Sequence, residues 1–212
     1  MLRFSQRLSV ILIVFLTFIN AAHADIQLPT AQMENGIGLF DALKKRSSTP
    51  GGAFGIGKIT DQELSTILWA ASGLNRGEKG WTIPTASGQA PYVKIYVAGE
   101  KGVYLYQWQG HYLQQLSDED IRGDIAFQNF TRRAAYQLIF VSDSQALKNF
   151  NDDVKANNFS QIAVGAMSQN IYLAAAALKL NVRYIHSIKP EIIEEELKLG
   201  DDKPIGMMLL SK

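Results

Sequence analysis

The sequence contains no cysteine, which excludes a disulfide, a thiolate nucleophile and a cysteine-ligated zinc site. Histidine is nearly as scarce: there are three, and His111 and His186 lie in no nucleophile motif, so no catalytic triad or spaced metal-ligand set is evident. Phosphate-loop signatures are missing too. The glycines from Gly51 to Gly57 lack the spacing and preceding strand of a dinucleotide fingerprint, and there is no Walker A loop. Basic and acidic residues nearly balance, 21 against 20, and no long basic block supplies a reason to expect nucleic acid. Proline-rich linkers, low-complexity tracts and internal repeats are also lacking, so one domain is expected.

The N-terminus is patterned differently from the rest. Arg3 and Arg7 precede an apolar run over residues 8–19, and Ala22-His23-Ala24 supplies the small residues of a cleavage site. This is the pattern of a secretory signal peptide over residues 1–24. Cleavage after Ala24 places the remaining domain, residues 25–212, in the periplasm or outside the cell, with no stable membrane insertion. An uncleaved anchor is the open alternative.

Residues 159–180 are the most apolar stretch of that domain. Ile162, Val164, Met167, Ile171, Leu173 and Leu178 fall on several faces of a helix, with Gly165, Ala166 and Ala174 to Ala177 between them, which predicts a helix enclosed by other elements. Ser168-Gln169-Asn170 interrupts the run and argues against a membrane span. Upstream, residues 39–46 read as a short helix with a basic end, Lys44-Lys45-Arg46, followed by hydroxyls and glycines that could suit an anion. An ordinary helix end and loop is the plainer reading of the same residues.

Thr60 and Glu63 form a capping-box pattern ahead of Leu64, Ile67, Leu68 and Ala71, which predicts a helix over residues 61–72 stopped by Gly73. Strands are expected around residues 93–97 and over a hairpin at 103–116, with His111 capping or flanking it. An acidic helix is expected over 118–130. Further strands at 136–141, 184–188 and 205–210, and a helix opened by Pro190, complete an α+β pattern.

Several of these pieces resemble the nitroreductase-like flavoproteins, especially the compact branch related to the dehydrogenases that oxidise thiazolines and oxazolines. Leu43-Lys44-Lys45-Arg46-Ser47 resembles the family's helix ending in Arg-Arg-Ser. Residues 64–75, LSTILWAASGLN, are close to its Leu-Leu-Trp-Ala-Ala-x-Gly-x-Asn. Pro84-Thr85-Ala86-Ser87 stands where it has Pro-Ser-Ala-Gly, and residues 165–175 resemble Gly-x-x-x-Gln-Asn-x-x-Leu-Ala-Ala. The resemblance implies a central antiparallel or mixed sheet flanked by helices around a long buried helix. It further implies a homodimer with flavin mononucleotide (FMN) in a shared cleft, and hydride transfer to or from a small organic substrate.

By position, Arg46 and Ser47 would contact the flavin phosphate, and Pro84, Thr85, Ala86 and Ser87 would line the ring; no catalytic residue is implied. Thr49 stands where the family has a second arginine, and Lys179, Asn181 and His186 stand where it has glycines. A non-catalytic relative that keeps the fold and has lost FMN is the alternative.

Overall fold

A computed structural model describes residues 24–212 except 35, 56, 87, 88 and 151. The expected signal peptide therefore lies outside the described residues, apart from Ala24. Among the described residues seven strands form one antiparallel sheet: β1 (Ile26–Gln27), β2 (Val93–Gly99), β3 (Gly102–Gln107), β4 (Tyr112–Ser117), β5 (Tyr136–Ser142), β6 (Asn181–Ile185) and β7 (Lys203–Ser211). Their spatial order is β1-β4-β3-β2-β5-β7-β6, which puts β5 and β7 inside the sheet and β6 at one edge.

Alternation along the inner strands divides the core. Leu138, Phe140, Met208 and Leu210 face one side, where helices α2 (Asp61–Ser72) and α4 (Asp153–Leu178) contribute Ile67, Leu68, Met167 and Ile171. Ile139, Val141, Met207 and Leu209 face the other, covered by Phe54, Ile125 and Ile193, the last from helix α5 (Pro190–Glu196). Both faces of β5 and β7 are dry, so their sequences read as unbroken apolar runs rather than as alternation. Among the described residues two short α-helices remain, α1 (Leu39–Lys45), which packs on α4, and α3 (Ser144–Leu147).

Helix α2 starts and stops where the sequence predicts. The Thr60 side chain accepts from the Glu63 amide while Glu63 accepts from the Thr60 amide, and Gly73 caps the other end. Helix α4 begins earlier than expected, at Asp153, because Asp152 turns back to accept from the Lys155 amide. It is about 39 Å long at 1.5 Å per residue and ends on Lys179, whose φ of 59° is left-handed. One face of α4 is buried, but Ile162 is 63% exposed and Gly165 is exposed as well. The apolar circumference is thus not fully enclosed within one chain.

The helix expected over residues 118–130 does not form. Asp120 accepts from the backbone and side chain of Arg122, whose guanidinium also donates to the Ala134 and Ala135 carbonyls. A side chain that bonds the backbone two residues on offers the chain a turn in place of a helix, and only a 3-10 turn at Asn129–Arg133 follows. Strand β6 also lies three residues earlier than the expected 184–188, with Asn181 opposite Ser211. Strand β1 was not anticipated; two residues pair with β4 and are too few to leave a periodic signal.

Candidate functional site

Helix α4 organises both sets of expected site residues, and it holds them on different flanks. Asn170 donates through its amide to the Ala70 carbonyl near the end of α2, at 3.1 Å, and to the Thr82 carbonyl, at 3.0 Å. Thr82 is further fixed by its own amide and hydroxyl, which donate to Gly73 and Trp69 carbonyls. The turn that leads into Pro84, Thr85 and Ala86 is thereby tied to two helices. Pro84 is exposed, Thr85 and Ala86 are half-buried, and Ser87 lies outside the described residues. Trp81 packs edge-on against Trp108 beneath this turn, and burial raises the pKa of the Tyr92 hydroxyl, partly offset by a hydrogen bond with the Ala86 backbone.

Two residues on, about 200° around the helix at 3.6 residues per turn, Tyr172 faces the opposite flank. The Arg46 guanidinium lies over its ring, 5.1 Å from the centroid, a cation–π contact that holds a long side chain in place. The Tyr172 hydroxyl accepts from the Tyr184 amide at 3.0 Å and bonds the Ser48 hydroxyl at 2.8 Å. Among the described residues no carboxylate pairs with Arg46. Ser47 and Ser48 are exposed. A guanidinium without a counter-ion, beside two hydroxyls, is a donor set chemically suited to a phosphate.

Thr49 has a different task from the arginine it replaces in the resemblance. It is buried, its amide donates to the Val182 carbonyl and its hydroxyl accepts from the Val182 amide. Arg183 donates to the Thr49 carbonyl. Thr49 thus latches the Arg46–Ser48 stretch onto the outer edge of β6. Of the other residues standing at expected glycines, Lys179 is exposed at the end of α4, Asn181 accepts weakly from Thr49 at 3.4 Å, and His186 is exposed.

Within one chain the structure brings Arg46 and Ser47 together, and separately places Pro84, Thr85 and Ala86. The two sets are tied to α4 on different flanks, one through Tyr172 and the other through Asn170. The sequence reading missed the roles of Tyr172 and Asn170; Ser168-Gln169-Asn170 in an apolar helix was the one available signal, since a polar group there demands partners.

A cavity of about 670 Å³ opens elsewhere, at the start of α4 and the beginning of β7, and contains none of the expected site residues. His186, Lys148, Asp153 and Lys203 are among its walls. His111 is half-buried and structural: its Nε2 lies 2.7 Å from the Ser65 hydroxyl and its Nδ1 2.9 Å from that of Tyr106. Burial lowers its pKa, partly countered by the Pro29 carbonyl. Among the described residues no cluster of three histidine or carboxylate side chains is arranged to hold a metal ion, and no helix is long and apolar enough to cross a membrane.

The family model described as the nitroreductase family matches residues 44–211. A nitroreductase homologue from Methanocaldococcus jannaschii is 31% identical over 187 residues, covering 84% of this chain and 91% of the relative. The crystal structure of a nitroreductase homologue from Ralstonia eutropha superposes with a TM-score of 0.81 at 29% identity, over 89% of each chain. The E. coli microcin synthetase McbBCD complex shares the fold, at a TM-score of 0.62 and 13% identity over 74% of this chain and 65% of that one. The α4 signature, the α2 motif and the Arg46 segment therefore have one explanation: the chain belongs to the nitroreductase family and is an oxidoreductase.

Proposed function

We propose that the protein is an exported, homodimeric oxidoreductase that uses FMN to move hydride to or from a small organic substrate. The observation that carries the cofactor is Arg46, held on Tyr172 without a carboxylate partner among the described residues. A fixed, uncompensated guanidinium beside hydroxyls matches the phosphate of FMN. When bound, FMN would supply two-electron chemistry, accepting hydride from one organic molecule and passing it to another. The chain's own part is placement. Arg46 and Ser47 hold the anion, while the Asn170-anchored turn offers Pro84, Thr85 and Ala86 to the flat ring.

The division of these groups between opposite flanks of α4 supports a cleft made by two subunits, one giving the phosphate arm and the other the turn. The apolar surface supports the same reading. Helix α1 leaves Phe40 84% exposed and Leu39 61% exposed, and α4 leaves Ile162 uncovered. Such exposure is characteristic of a surface that another chain covers. Export rests on the residues 1–24 pattern alone.

The test is direct. Protein comprising residues 25–212 is mixed with FMN, desalted and examined by absorbance; a retained flavin spectrum is expected, and colourless protein would overturn the assignment. Light scattering should give twice the chain mass, and a monomer at working concentration would remove the shared cleft.

A further inference from the structure

We propose that Ser48 is a phosphate-binding residue of the flavin site and that Tyr172 is its positioning residue, acting through a directed chain of hydroxyls. The inference rests on the FMN reading above and adds residues to it.

The direction of the chain follows from donor chemistry. A backbone amide can only donate, so the Tyr172 oxygen is the acceptor for Tyr184 at 3.0 Å. Tyr172 is 9% exposed, and a buried hydroxyl needs an acceptor for its own proton. Ser48, at 2.8 Å, is the hydrogen-bonding partner of the Tyr172 hydroxyl besides that amide among the described residues. The phenol therefore donates to the Ser48 oxygen. This leaves the Ser48 proton without an inward acceptor, so it points outward from an exposed residue. Each donor in such a chain polarises the next.

The same ring carries the Arg46 guanidinium at 5.1 Å. One side chain thus orders a cation on its face and a hydroxyl at its edge. Both then lie beside the exposed Ser47 and are available to one anion there. The Thr49 latch to Val182 fixes the backbone of this stretch to β6, the strand that also supplies the Tyr184 amide. The arginine absent at Thr49 is in this way replaced by a neutral donor whose orientation is imposed from inside.

The experiment compares FMN with riboflavin, which lacks the phosphate, by fluorescence titration of residues 25–212 and its variants. Tyr172→Phe keeps the ring under Arg46 and removes the hydroxyl. It should weaken FMN about 3- to 10-fold, the scale of one hydrogen bond, and leave riboflavin within about 2-fold. Ser48→Ala should do the same, and the double variant should be no weaker than Ser48→Ala alone, because both break one chain. Equal loss of FMN and riboflavin, unchanged FMN affinity, or additive losses would overturn the role of the chain while leaving the flavin reading standing. Wild-type protein that binds FMN no better than riboflavin would overturn both. Unchanged riboflavin affinity also shows that the Tyr172→Phe variant is folded.

Discussion

The two flanks of α4 use polar side chains to opposite ends. On one, both Asn170 amide protons are consumed by carbonyls of the same chain, so the residue closes a structure and has no donor left for a ligand. On the other, Arg46 rests on a ring and its donors find no carboxylate among the described residues. Satisfaction of hydrogen-bonding groups separates scaffold from recognition more sharply than residue type does. Asn170 is half-buried and polar yet structural, whereas Arg46 is half-buried and available.

That contrast can be broken by substitution. Asn170→Ala removes two hydrogen bonds and strands two carbonyls, so unfolding in denaturant should show a loss of roughly 2–4 kcal/mol. FMN and riboflavin should both be released, since the ring-side turn loosens. Arg46→Ala should weaken FMN by roughly 1.5–3 kcal/mol, the scale of a hydrogen bond to a charged group, with stability altered by no more than about 0.5 kcal/mol. If Arg46→Ala unfolds the protein while Asn170→Ala spares it, the two roles are reversed.

His111 sharpens the scaffold side. Its folded pKa is lowered by burial, so the folded state binds its proton less readily than the unfolded chain. The contribution is complete above the ordinary histidine value of about 6.5. It is lost as pH falls through the folded value. Stability measured across that range should therefore drop on acidification. His111→Asn, which tolerates the left-handed φ of 49°, should flatten this part of the profile; lowered carboxylates such as Glu63 and Asp202 act at lower pH. The smallest effect is expected at the end of α4. Lys179→Gly relieves a left-handed φ of 59° and should raise stability by about 0.5–1 kcal/mol in the same denaturant assay.

Much of the scaffold was legible because its signals are local. Thr60 and Glu63 announce α2 three residues apart, and the interrupted apolar run announces α4. The residues 118–130 were misread because Arg122 finds partners at 134 and 135, beyond any helical window. Arg46 and Ser47 were visible as a basic end followed by hydroxyls, but Tyr172 lies more than 120 residues away and reads as one more apolar position. The separation of Arg46 from Pro84 was invisible for another reason. It depends on the side of a helix, and both residues had been placed by resemblance to a cleft that two chains share.

The Thr49 latch has a consequence for anyone redesigning this protein. An edge strand such as β6 offers unpaired amides and carbonyls to any other extended chain, and Thr49 occupies that edge at Val182 through both its amide and its hydroxyl. The stretch that presents Arg46 outward is thus also the guard of the sheet margin. Grafting the missing arginine onto position 49 would remove the hydroxyl that serves the Val182 amide, so a gain in anion affinity would come with a more adhesive protein, seen first as a lower solubility limit.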